Sequence, residues 1–193
     1  MAKYLKRVIF FSILGMLFAA ISNANLGIIS QFASQNGNNW VGPLSVALLF
    51  LGLGLGALKN SYIGKINYRT ILFFGACGWN IYLTFSVMFL FIGFSQAIIA
   101  VILLGSFFCG LMASVYYNGF NNFINECAKL DNKSGTYFAI NICIVQCSNL
   151  VGNALSAILI DPLGQKTYSF VMLGCNIFLS FFFLLAEEFP KES

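Results

Sequence analysis

Long uncharged apolar runs alternate with short polar breaks along the whole chain. The runs cover about residues 8–30, 41–58, 70–92, 96–120, 136–160 and 168–186. Each is too long for an ordinary strand, and none alternates polar and apolar positions as a membrane barrel wall does. A backbone in hydrocarbon must satisfy its own hydrogen bonds, so each run predicts a helix. A span takes about 20 residues. The pattern therefore predicts an all-α membrane protein with six transmembrane helices, filling residues 1–193 as a single domain. The second run is short and carries Gly52, Gly54 and Gly56. That spacing suits close backbone contact with a neighbouring helix better than contact with lipid.

The polar breaks carry all the charge. Lys3, Lys6 and Arg7 precede the first run, and Lys59, Lys65 and Arg69 lie between the second and third. Glu126, Lys129, Asp131 and Lys133 fall between the fourth and fifth, and Lys191 sits in the tail with Glu187, Glu188 and Glu192. The alternate breaks hold only Asp161 and Lys166. Nine of the ten basic residues thus lie on one side. By the positive-inside rule both termini are expected on the cytoplasmic side of a membrane whose identity stays open. The net charge of +4 is then an orientation signal rather than a nucleic-acid patch.

Composition narrows the classes further. The 193 residues are 59% hydrophobic and 8% charged, with 22 Phe and no His. Soluble domains carry about 25% charged residues, and disorder needs low hydrophobicity, so both are excluded and the lipid bilayer is the expected surrounding. The N-terminal Lys3 to Arg7, followed by an apolar stretch and Ala19-Ala20, has the look of a secretory signal peptide. Apolar character resumes at Leu26 beyond the Ser22–Asn25 patch, giving full membrane length and predicting a retained helix. The sequon Asn132-Lys133-Ser134 falls on the inner side and is expected to be silent.

The six cysteines are scattered and read as small reduced packing residues. Cys143 and Cys147, one helical turn apart, are the one pair spaced for a soft metal, but without His or a second pair no metal and no cofactor is expected. With no acid or base in any run and no nucleotide motif, the chain is not expected to be an enzyme.

Amides are the polar groups the runs do contain. The first run has Asn23 and Asn25; the fourth leads into Asn118, Asn121, Asn122 and Asn125, an arc of about 100°. The fifth has Gln146, Asn149 and Asn153 within about 60°, with Asn141 further round. Asn25, Asn118, Asn122, Gln146, Asn149 and Asn153 are the candidates for a cavity or partner-facing groove, suited to a neutral polar ligand or a desolvated cation. The competing reading is interhelical hydrogen bonding, worth about 0.6 kcal/mol per contact.

One self-match stands out. The segment from Gly78 to Phe85 (GWNIYLTF) aligns with that from Gly174 to Phe181 (GCNIFLSF), identical at five of eight positions. The copies lie in the third and sixth runs. An offset of three helices reverses orientation, which predicts two inverted three-helix repeats, about 8–92 and 96–186.

The stretch Gly110-Leu111-Met112-Ala113-Ser114-Val115-Tyr116-Tyr117-Asn118-Gly119-Phe120 resembles the signature of the uncoordinated-93 family, the ion-channel-regulator branch of the major facilitator superfamily. Gly110, Tyr116, Asn118 and Gly119 carry the match, and Gly152-Asn153 fit the family's next block. Tyr116 and Asn118 stand where the family usually has Trp and Gln, and Asn60 stands at the usually acidic position of the loop after the second helix. The resemblance implies a major-facilitator-type half of six helices. It also implies a non-enzymatic role, regulating or escorting another membrane protein such as an ion channel. A solute-transporter half, working as a dimer or with a second six-helix half, and a scaffold subunit of a larger membrane complex are the alternatives. The chain stops after the sixth run, about where the superfamily's loop between halves starts, which predicts a half rather than a whole transporter.

Overall fold

A computed structural model describes residues 4–58, 66–93 and 95–186. The expectations for Lys3, Lys59, Asn60, Lys65 and the acidic tail lie outside the described residues. The described residues are all-helical, with 91% of them in helix. The helices are α1 (Leu5–Gln35), α2 (Val41–Leu58), α3 (Tyr68–Ile92), α4 (Gln96–Leu130), α5 (Ser134–Gln146) and α6 (Ser148–Phe182), followed by a 3₁₀ turn at Phe183–Leu185. Among the described residues five helical stretches are long and apolar enough to cross a membrane, the last being the 52 residues Ser134–Leu185.

Helix ends follow local chemistry. Pro43 sits in the first turn of α2, where its missing N–H costs no bond. The side chain of Ser95 caps α4 by accepting from the Ile98 amide at 3.3 Å. α4 runs ten residues beyond its apolar run, so Glu126 and Lys129 stand on the helix, 3.1 Å apart, and not in a loop as expected. The apolar run marks where hydrocarbon ends, and a helix with good formers continues into water.

The last two runs share one helical stretch that breaks twice. Cys147 joins α5 to α6 with helical angles. Gly164, two residues after Pro162, has φ 73° and ψ 153°, a conformation that side chains disfavour. Ser156 Oγ and the Tyr168 hydroxyl lie 2.9 Å apart, although twelve residues of straight helix span about 18 Å. Residues 148–163 and 165–182 therefore fold back on each other.

α1 touches every other helix. Against α4 it runs antiparallel, with Phe11 on Phe123 (ring centroids 4.8 Å), Phe18 on Tyr116 (5.5 Å) and Gly15 between them on the Phe120 ring. α2 lies on α4 at backbone distance: a Cβ on Gly52 would meet the Phe107 carbonyl, and one on Gly110 would meet the Leu49 carbonyl. α3 packs on α4 through Gly75 at Tyr116 and Gly78 at Met112. The second arm of α6 runs antiparallel to α3. Arg69 Nε donates to the Ala186 carbonyl at one end (2.6 Å), and Lys166 lies 5.6 Å over the Phe91 ring at the other. Between them Asn176 Nδ2 donates to Asn80 Oδ1 (3.0 Å) and Ser22 Oγ (3.2 Å), while Asn80 Nδ2 donates to Ser180 Oγ (2.7 Å). Asp131 ties the start of α1 to α5, accepting from the Tyr4 amide at 2.8 Å and the Tyr137 hydroxyl at 2.5 Å.

These contacts make glycines inequivalent. Gly110→Leu must push α2 off α4, an overpacking cost of about 1–3 kcal/mol or more. Gly54 has open space where a side chain would go. In thermal unfolding of detergent-purified protein, Gly110→Leu is expected to lower Tm sharply or abolish monodisperse protein, and Gly54→Leu to leave Tm unchanged.

Candidate functional site

Most of the amides selected from sequence are on the bundle surface. Gln146, at the end of α5, and Asn149 and Asn153, on the first arm of α6, are all exposed. Asn149 Oδ1 accepts from Asn23 Nδ2 of α1 at 2.8 Å, and both residues remain exposed. On α4, Asn122 is exposed beside Asn121, and Asn118 is half-buried. Among the described residues, no hydrogen bond joins Asn118 or Asn122 to the α6 amides. Asn141 is buried and accepts from Ser12 Oγ at 2.9 Å, so it serves as an interhelical tie.

Asn25 stands apart from this surface. Residues 11, 18, 25 and 32 recur every seven positions and share one helix face. Phe11, Phe18 and Phe32 on that face meet Phe123, Tyr116 and Phe89. Asn25 is therefore the single polar member of an aromatic stripe. It is 1% exposed, and neither Oδ1 nor Nδ2 has a hydrogen-bond partner among the described residues. The family-signature residues other than Asn118 and Asn153 are contact residues: Gly110 on α2, Gly119 on Ile71, Gly152 on the Ala20 carbonyl, and Tyr116 in the core.

A small pocket adjoins the surface where α1, α3 and α4 meet. Phe18, Ser22, Trp79 and Tyr116 form its buried floor, and Asn23 and Tyr117 its exposed rim. It has room for one water-sized occupant, about 10 Å³ for that occupant's centre. The Tyr116 hydroxyl, on a residue 3% exposed, has no hydrogen-bond partner among the described residues. Asn23, Trp79 and Tyr117 were not among the sequence candidates. The usable signal is angular: Asn23 and Asn25 are about 200° apart on a helix, so only one can face outward.

The arrangement offers amide donors and acceptors, phenols and aromatic rings, without a carboxylate, amine or guanidinium. No group of three or more potential metal-ligating acids, His or Cys occurs among the described residues. Comparison with family models, curated proteins and solved structures finds no match.

The cysteines divide in a way sequence did not indicate. Cys109 and Cys127 are buried packing residues, whereas Cys143, Cys147 and Cys175 are exposed. The packing role expected for all six is thus corrected for these three, whose side chains point off the bundle. A small thiol costs little on such a surface. Labelling in detergent with a small membrane-permeant maleimide and peptide mapping is expected to modify Cys143, Cys147 and Cys175 ahead of Cys109 and Cys127, which react only after denaturation.

Proposed function

We propose that the chain is a non-enzymatic integral membrane protein of the major-facilitator type, escorting or regulating another membrane protein such as an ion channel. The observation that carries this reading is the exposed amide surface of Gln146, Asn149, Asn153 and Asn23 on helices otherwise apolar enough for a membrane. Amides facing hydrocarbon lose their hydrogen bonds to water, at several kcal/mol per isolated group. A second protein surface restores them. Pairing amides across helices satisfies without charge and therefore holds a partner modestly and reversibly.

In this reading the 52-residue stretch crosses twice, folding back at Gly164, so that the bundle has six crossings and both termini are cytoplasmic. The two inverted three-helix repeats are supported by the meeting of equivalent residues. Asn80 and Asn176, matched in the self-alignment, bond to each other where antiparallel α3 and α6 cross. A two-fold relation places a residue against its own equivalent at the axis.

Substituting Gln146, Asn149 and Asn153 together by Leu removes the surface and, with it, one interhelical bond worth about 0.6 kcal/mol. The variant is expected to stay monodisperse with near-unchanged Tm, while recovery of the bound membrane partner falls at least tenfold in pull-downs from native membranes. The purified chain reconstituted alone is expected to show no saturable solute flux. Saturable flux that Asn118→Leu with Gln146→Leu abolishes would replace this reading with that of a transporter half.

A further inference from the structure

A crease runs along the outside of the bundle between α3 and the second arm of α6. On α3, Thr84, Val87, Met88 and Phe91 share one face; on α6, Lys166, Phe170 and Leu173 share another. Val87 and Leu173 are buried as its floor, and Met88, Phe91 and Phe170 stand exposed as its walls. The groove between them holds about 300 Å³. Its one polar side chain, Thr84, already donates its hydroxyl to the Asn80 carbonyl at 2.7 Å, so the groove is hydrocarbon throughout. Eleven residues beyond Thr84 and Phe170 on the same faces, the Phe73 and Phe181 rings meet across the crease, centroids 5.7 Å apart, and end it.

The other end carries charge. Lys166 Nζ lies 5.6 Å over the Phe91 ring, and among the described residues no carboxylate pairs with it. Beside it is a hollow of about 350 Å³, whose polar side is Gln165, Lys166 and Thr167. Asp161, the acid of the same reversal, lines neither hollow nor groove. From Phe91 to Thr84 the groove runs about 10 Å, inside the roughly 15 Å of hydrocarbon in one leaflet.

We propose that this crease binds a phospholipid of net negative charge in the leaflet at the Lys166 end. One acyl chain fills the groove, and the phosphodiester lies against Lys166, Gln165 and Thr167. Charge complementarity selects the headgroup. An ammonium without a carboxylate partner takes a phosphodiester, and a zwitterionic lipid brings its own ammonium to compete for it. The lining selects a chain over a second helix. Thr84 apart, it has no small residue for close backbone approach and no free polar group, the features that hold helices together. The closed far end keeps an occupant within one leaflet, as an acyl chain is, whereas a spanning helix crosses both. The site needs no partner protein, so it stands or falls separately from the proposed function.

Lys6 and Arg7, at the opposite end of the bundle, also attract anionic lipid. The readout is therefore confined to the crease by placing photoreactive p-benzoylphenylalanine at the exposed Phe170. Purified protein in nanodiscs of equimolar phosphatidylglycerol and phosphatidylcholine with matched chains is irradiated, and its adducts are identified by mass. The phosphatidylglycerol adduct is expected to exceed the phosphatidylcholine adduct several-fold. Lys166→Gln is expected to bring the ratio to about one, and Lys166→Arg to retain the preference. Excess glycerol phosphate is expected to leave the ratio unchanged; competition by it would make free phosphate the ligand and overturn the lipid. If the protein labelled at Phe170 does not fold, the label at Met88 carries the same test. Irradiation in native membranes is expected to give lipid adducts, and a protein adduct assigns the groove to a partner helix instead. A ratio near one, or one unchanged by Lys166→Gln, overturns the proposal and leaves the crease to unselective boundary lipid.

Discussion

The bundle depends on close backbone approach at glycine. Apolar side chains gain little by leaving lipid for one another, so burial alone does not choose which helices pair or how. Gly52 and Gly110 supply the choice for α2 and α4, because each glycine lies against a carbonyl of the other helix. At that distance dispersion acts over the full length of both backbones. Between α3 and α4, Gly75 lies against the Tyr116 backbone while Gly78 and Gly119 make room for the Met112 and Ile71 side chains, and Gly152 of α6 lies against the Ala20 carbonyl of α1. α4 is thus fixed on two sides before any polar contact is considered.

Polar pairing then sets what backbone approach leaves free. The Asn80–Asn176 bond, with Ser22 and Ser180 around it, holds α3 to the second arm of α6 at one depth. This knot lies inside the bundle and is largely satisfied internally. The Asn23–Asn149 pair is of similar strength but faces outward. Location therefore separates the internal tie from the exposed pair, even though the residue type is the same. The Asn80 amide buried between helices is engaged through both its oxygen and its nitrogen, whereas an amide left on the surface still has hydrogen-bonding capacity to offer.

Much of this was legible in the sequence, and the failures have physical causes. The helices follow from apolar runs because hydrocarbon permits no alternative backbone, and the α2 run coincides with its helix. The α4 run stops ten residues early because charge ends a span without ending a helix. The break at Cys147 carries no sequence signal, since neither Gly nor Pro marks it. The reversal at Gly164 does carry one, following Pro162 in a polar break. The shared exposed face of Gln146, Asn149 and Asn153 was legible from helical spacing. Asn25 was chosen where Asn23 lies on the surface, because hydropathy along a chain cannot say which way a helix is turned.

That rotation of α1 is decided by magnitudes. As set, Ser22 and Asn23 both reach partners on α6, while Asn25 is buried with none. An unsatisfied buried polar group costs about 1–3 kcal/mol, and the two interhelical bonds return only about 0.6 kcal/mol each. Hydrogen bonding alone therefore leaves α1 unfixed. The aromatic stripe decides: Phe11, Phe18 and Phe32 each meet an aromatic ring on α3 or α4, contacts worth about 0.5–1.5 kcal/mol apiece beyond area burial. Turning α1 to give Asn25 a partner breaks all three together and withdraws Gly15 from the Phe120 ring. Asn25 is carried into the core by the heptad it belongs to, and the same rotation is what presents Asn23 to the rim of the aromatic pocket.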